Sequence, residues 1–154
     1  MIIPLKFRFD VAMSGRFGME MQPKDFSREE VSFAKRAIAD YKRIRPIVQH
    51  GDLFRITSPY EENGKPSLMY VSKDKAQAVF FAYVLKYNPR TTYFETKLKG
   101  LDPDRRYKIT ELNTKTDESG FYAHGKTFTG SYLMNVGLQW YMHKPFDSLV
   151  LLLE

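Results

Sequence analysis

Asp10, Glu20, Asp25, Glu29, Glu30 and Asp52 are candidate acids in and just beyond the first third of the chain. Two carboxyl groups flanking a scissile bond can divide the work of nucleophile or base and of acid, but the spacing of these six selects no pair. Glu29 and Glu30 are accounted for by the start of a helix, where the dipole favours negative charge, and Asp25 by the turn before it. His50, His124 and His143 are far apart and lack the spacing of a metal-binding helix or knuckle. The chain has no cysteine, which removes disulfides, thiolate metal sites and cysteine nucleophiles. Serine, histidine and aspartate are all present, yet no G-x-S-x-G elbow is. Gly125-Lys126-Thr127 lacks the upstream glycine of a phosphate loop. Spacing therefore assigns no catalytic, substrate-binding or metal-ligating residue, and no cofactor.

Aromatic residues make up 15% of the sequence, including ten tyrosines, twelve phenylalanines and the single Trp140. On a sheet they could stack on sugars or bases. Phe80, Phe81, Tyr83, Tyr132 and Tyr141 lie in strand-like runs, so core and inter-domain packing is the favoured reading. Surface tyrosines together with Trp140, acting as an independent carbohydrate-binding module, are the alternative.

These residues need elements to position them. At 154 residues, 43% hydrophobic and 27% charged, the chain has the material of a folded domain rather than a disordered one. No apolar stretch reaches the roughly 20 residues that span a bilayer, and Met1-Ile2-Ile3-Pro4 is not an export leader. The expectation is a soluble chain without membrane association, which leaves cytoplasm or periplasm open. The net charge of +6 raises the question of nucleic acid. Residues 1–50 carry net +4 and residues 51–154 net +2, so the excess sits in the helical third. A basic helix packed on another domain explains it better than a phosphate-binding surface, and no nucleic-acid partner is expected.

The firmest local element is a helix from Ser27 to about Arg45. Ser27 and Glu30 make a capping box, with Phe26 and Val31 placed as a hydrophobic staple. Val31, Ala34, Ile38 and Tyr41 share a face, Lys42, Arg43 and Arg45 crowd the last turn, and Pro46 is expected to stop the helix. Before it, Pro4 to Met13 alternates like a strand, although Pro4 and Gly15 also suit the two ends of a helix. Gly15 to Met21, closed by Pro23, reads as a short buried strand.

Beyond Gly51 short strand-like runs alternate with turns, the pattern of a sandwich or barrel. The expected strands are 53–57, 67–72, 76–87, 93–99, 106–113, 127–134, 138–142 and 148–153. Turns are expected at Asn63-Gly64, at Asn88-Pro89 and at Leu101-Asp102-Pro103-Asp104. The boundary between the helical and strand-rich parts falls near Val48 to Gly51.

The run from Ser14 to Tyr60 resembles the junction in family 36 glycoside hydrolases, the α-galactosidases or melibiases, where the catalytic barrel ends and a C-terminal β-domain begins. Leu68-Met69-Tyr70-Val71-Ser72 and Ala78-Val79-Phe80 resemble that family's next strands. Lys99-Gly100-Leu101-Asp102-Pro103-Asp104-Arg105-Arg106-Tyr107 resembles its G-L-D-P-x-x-x-Y turn, and Gly130, Leu133-Met134 and Gly137-Leu138 fit its late L-M-x-x-G-L segment.

The resemblance implies a mainly β fold, an antiparallel β-sandwich over residues 49–154. Residues 1–48 would be the last strand and helices of a (β/α)8 barrel, with residues before Ser14 helical. It also implies a parent of retaining mechanism that removes terminal α-linked galactose from oligosaccharides of the raffinose series. The catalytic aspartates of such enzymes lie on earlier barrel strands, so no residue here inherits their roles; Glu20 alone keeps a minor candidacy near a pocket. The partner implied is the parent barrel. Without it the helix should expose an apolar stripe, favouring self-association, and residues 1–25 should be mobile beside a cooperative core over 49–154.

Overall fold

The computed structural model describes residues 3–18, 22–61, 65–86, 88–90, 92–114 and 119–154. Its organising elements are two central strands that are buried along their whole length. β3 (Ala78–Tyr83) and β8 (Ser148–Leu153) pair with each other antiparallel, from Ala78 opposite Leu153 to Tyr83 opposite Ser148. Their near-continuous apolar sequences, AVFFAY and SLVLLL, are those of strands with two covered faces, where an alternating strand would leave one face to water.

Around this pair runs a six-stranded antiparallel sheet. It comprises β1 (Asp52–Thr57), β2 (Ser67–Val71), β3, β8, β5 (Arg106–Leu112) and β6 (Thr127–Thr129), in that spatial order. β4 (Tyr93–Thr96) and β7 (Leu138–Tyr141) form a separate two-stranded ribbon. One face of the large sheet presents Met69, Phe80, Tyr107, Ile109 and Leu151 to the ribbon residues Leu138 and Trp140 and to Leu133 of a short helix, α3 (Gly130–Asn135). The two unequal sheets are the antiparallel sandwich that the strand-rich tract predicts.

The opposite face presents Val79, Phe81, Tyr83, Val150 and Leu152 to two helices, α1 (Leu5–Met13) and α2 (Arg28–His50). The first element is a helix despite its alternating sequence. Phe9 and Met13 are buried one turn apart, and so are Lys6 and Asp10, the i,i+4 repeat of a helix face rather than the i,i+2 repeat of a strand.

Tyrosine hydroxyls finish the carbonyls that the end of this helix leaves over. Tyr83 donates to Asp10 O at 3.0 Å, Tyr70 to Ser14 O at 2.8 Å and Tyr41 to Gly15 O at 3.2 Å. Phe7 meets Tyr83 and Phe146 edge-on, with centroids 5.7 and 5.3 Å away. Residues 5–13 therefore pack on this face of the sheet. They share its second core.

Three local expectations are corrected. Pro46 lies inside α2, which runs on to His50. An interior proline costs about 3 kcal/mol, but the extra turn buries Ile47 and Val48 against the sheet, worth about 1.5–3 kcal/mol each. The run 127–134 is strand only as far as Thr129. There the Thr129 hydroxyl accepts from Tyr132 N at 3.1 Å and starts α3. Residues 15–18, the described part of the expected 15–21 strand, pair with no neighbouring strand, and Phe17 packs between Phe9 and Tyr41.

The strand expected at 148–153 is observed with those ends and the others with shifted ones: 76–87 contracts to Ala78–Tyr83 and 93–99 to Tyr93–Thr96. Arg90 N bonds to Asn88 Oδ1 at 3.0 Å in the expected turn, whereas Asn63-Gly64 lies outside the described residues.

The G-L-D-P-x-x-x-Y segment is a fold device. Tyr107, fully buried, donates its hydroxyl to Lys75 O at 2.6 Å and accepts from Asp102 N at 3.0 Å. Burial pushes its phenol above the ordinary range. Asp104 N closes the bend on Asp102 Oδ1 at 3.0 Å. Gly130 then fits under the bend, its N donating to Arg105 O at 2.8 Å. A Cβ there would stand 1.9 Å from Asp102 O. Gly130→Ala should therefore lower stability by about 2–3 kcal/mol through forced backbone movement. Tyr107→Phe should lower it by about 1–3 kcal/mol by stranding two backbone groups. Urea unfolding midpoints check both.

Candidate functional site

Asp10 is fully buried where α1 crosses the ends of β8 and β5. Its Oδ2 accepts from Ser148 Oγ at 2.6 Å and from Lys6 Nζ one turn earlier on α1. Its Oδ1 accepts from Asn113 Nδ2 at 2.7 Å. Asn113 can present its amide there because it follows β5 with a positive φ of 53°, which asparagine tolerates better than most residues. The network joins residues 6, 10, 113 and 148. Lys6 is itself buried, so the carboxylate and ammonium compensate each other out of water.

A carboxylate held this way is unsuited to catalysis. Both oxygens are engaged, and no solvent path reaches them for a substrate or for proton exchange. The other acids are no better placed. Glu30 reaches back to Ser27 N at 2.9 Å to complete the capping box, and Glu29 stands exposed beside it in the first turn. Asp25 closes a 3-10 turn, Pro23–Asp25, before the helix. Asp52 pairs with Lys73 on the surface. Glu20 lies outside the described residues.

The histidines stay apart as well. His50 ends α2, His124 Nδ1 accepts from Glu111 N at 3.0 Å, and His143 N donates to Asp147 Oδ2 at 3.1 Å. No group of acids and histidines among the described residues is arranged to hold a metal ion.

Trp140 is not on the surface. It is 3% exposed, lies 4.4 Å from the Phe94 ring and donates Nε1–H to Thr96 Oγ1 at 2.9 Å. That removes it as the stacking residue of a carbohydrate-binding module. An open cleft of about 540 Å³ does run beside the ribbon, lined in part by Lys6, Glu111, Tyr122, Gln139, Tyr141 and His143. A second polar hollow lies between α2 and β5. There Asp40 accepts from Asn113 N at 3.4 Å between Arg36 and Arg43.

The chain thus has a sandwich with a helical layer on one face, and of the candidate acids Asp10 is buried in a closed network while Asp25, Glu29, Glu30 and Asp52 lie at a turn, a helix start or the surface. Residues 65–153 match the glycosyl hydrolase family 36 C-terminal domain. This chain belongs to that family.

The similarity extends past the matched domain. Over 152 residues the chain is 35% identical to probable α-galactosidase G of Aspergillus terreus, covering 98% of this chain and 19% of that protein. To the α-galactosidase AgaA of Geobacillus stearothermophilus it is 35% identical over 124 residues. The crystal structure of AgaA superimposes over 100% of this chain and 20% of its own, with a TM-score of 0.86 and 30% identity. Other crystal structures hold variants of AgaA in complex with raffinose and with stachyose. The chain spans about a fifth of the length of these relatives. In this family 36 domain, the signature residues Gly130 and Tyr107 hold the fold.

Sequence reasoning named Asp10 among the acids but missed its partners, two of which, Asn113 and Ser148, stand more than 100 residues away. The available signal was Lys6 at i−4, an ion-pair spacing that a helix makes and a strand does not. Asp10→Ala should cost about 3–5 kcal/mol by leaving Lys6 buried and uncompensated, whereas Asp52→Ala should change stability little, as measured by chemical denaturation. Burial, opposed by the Asn113 N–H and the two arginines, holds the Asp40 carboxyl above its ordinary value of 3.8. Ionisation then costs the folded state: the stability Asp40 lends is present below pH 3.8 and lost as pH rises through the folded value. Asp40→Asn should therefore raise the urea midpoint at pH 7 and lose that advantage at pH 3.

Proposed function

We propose that this chain is the C-terminal part of a retaining α-galactosidase. Residues 1–48 form the end of its catalytic barrel and residues 49–154 its β-sandwich. The parent cleaves terminal α-linked galactose from oligosaccharides such as those of the raffinose series. The chain itself is structural: it presents the sandwich to the barrel through α1 and α2 and contributes neither catalytic carboxylate.

The observation that carries this reading is collinearity. Helical layer and sandwich together align with α-galactosidases at 30–35% identity, although the chain accounts for about a fifth of their length. The engaged state of Asp10 and the capping or surface roles of the other described acids agree with chemistry located elsewhere. The raffinose and stachyose complexes of AgaA support the substrate class. An independent sugar module built on Trp140 is the weaker reading, because Trp140 is a core residue.

A chimera tests the proposal. This chain should replace the corresponding fifth of AgaA and leave hydrolysis of an aryl α-galactoside within about tenfold of the intact enzyme. The chain alone should give no turnover. Turnover by the isolated chain, or a folded chimera without activity, would overturn the reading.

A further inference from the structure

The outer face of the β4–β7 ribbon carries a small ordered array. Tyr93 stands opposite Tyr141, and Glu95 opposite Gln139. Alternation sends Phe94 and Trp140 into the core and these four outward. Tyr93 is 42% and Tyr141 60% exposed. Their ring centroids are 5.4 Å apart at 61°, so an edge meets a face and much ring area is left to solvent. Tyr122, 44% exposed, accepts from Gln139 N at 3.2 Å and adds a third ring to the same surface. The Tyr93 phenol is held above its ordinary range, first by desolvation and then by Glu95 and the neighbouring tyrosines. It remains a neutral donor.

We propose that Tyr93, Tyr141 and Tyr122, with Glu95 and Gln139, form a binding platform for a neutral oligosaccharide, continuous with the cleft beside the ribbon. A pyranose offers an apolar C–H face and a rim of hydroxyls. The exposed tyrosine faces suit the first, and a carboxylate beside a carboxamide suits the second, supplying acceptors and donors at one spacing. The cleft continues this chemistry with Gln139, Tyr141 and Glu111 in its wall.

Charge argues against the rivals. Glu95 within the array and Glu111 beside it repel a phosphate backbone, while the cation Lys126 stands over the Tyr122 ring, 5.6 Å from its centroid. A second protein copy would place the Glu95 carboxylate at the centre of its interface, where charge is depleted. The helical layer packs on the opposite face of the large sheet from the ribbon, and of that layer Lys6 reaches the cleft wall.

Only the choice of the first probe rests on the α-galactosidase reading, and a sugar of unrelated linkage serves as the second. Amide and tyrosine ring resonances of the full chain are followed while stachyose, and separately cellotetraose, is added. Saturable shifts confined to Tyr93, Tyr122, Gln139 and Tyr141 are expected with at least one of them. Tyr141→Ala and, independently, Gln139→Ala should weaken that binding about tenfold or more while leaving the other resonances in place. Binding of cellotetraose alone would support the platform and count against the raffinose-series reading. Saturation by neither sugar overturns the proposal. So does a concentration-dependent dimer lost in Tyr141→Ala, which would assign the face to a second copy.

Discussion

Strands β3 and β8 have no face left for water, and the remaining architecture answers that constraint. Val79, Phe81, Val150 and Leu152 point one way and Phe80, Leu149 and Leu151 the other. A single sheet with this sequence would expose a large apolar area on one side, which soluble proteins avoid. The β4–β7 ribbon and α3 cover one face, α1 and α2 the other. The helical layer is therefore a wall of the sandwich's second core as well as part of whatever it joins. The family match begins at residue 65, so it leaves out the helices that close this core.

Apolar cover alone does not fix where a helix sits, since hydrophobic contact has no direction. The Asp10 network supplies the direction. Its carboxylate takes hydrogen bonds from its own helix, from the end of β5 and from the start of β8, and Tyr83 fixes the adjacent carbonyl. Sliding α1 by one residue would strand a buried charge at a cost of several kcal/mol. In an α-galactosidase built as proposed, this polar pin sets the barrel's last segment against the sandwich. That role fits a residue buried at a boundary and closed to substrate.

Legibility in the sequence followed how local each signal is. The capping box at Ser27 and Glu30 and the run Ser148–Leu153 were read correctly because a few adjacent residues specify them. Pro46 was misread because its local rule is overridden by Ile47 and Val48 packing on a distant sheet. Residues 130–134 carry strand-like aromatic and apolar character, yet Gly130 under the Asp102 bend and the Thr129 cap turn them into helix. Core packing, the favoured reading of the aromatics, holds for Phe80, Phe81, Tyr83 and Trp140 but not for Tyr141, which strand parity turns outward with Gln139. Asp10 was among the acids named while Asp40 was passed over, and what disqualifies Asp10 is a set of contacts from residues 113 and 148, which no local pattern encodes.

The place of β8 in the sheet has a consequence in time. Among the described residues it follows the seven other strands in sequence, yet it lies between β3 and β5. A ribosome delivering this chain must release every other strand before the one that joins them. Until then β3 and β5 hold open edges, and Asp10 waits for Ser148. Closure of the large sheet thus waits for residues 148–153, and a nascent chain halted before residue 148 presents one unpaired edge of β3 and one of β5 to its surroundings.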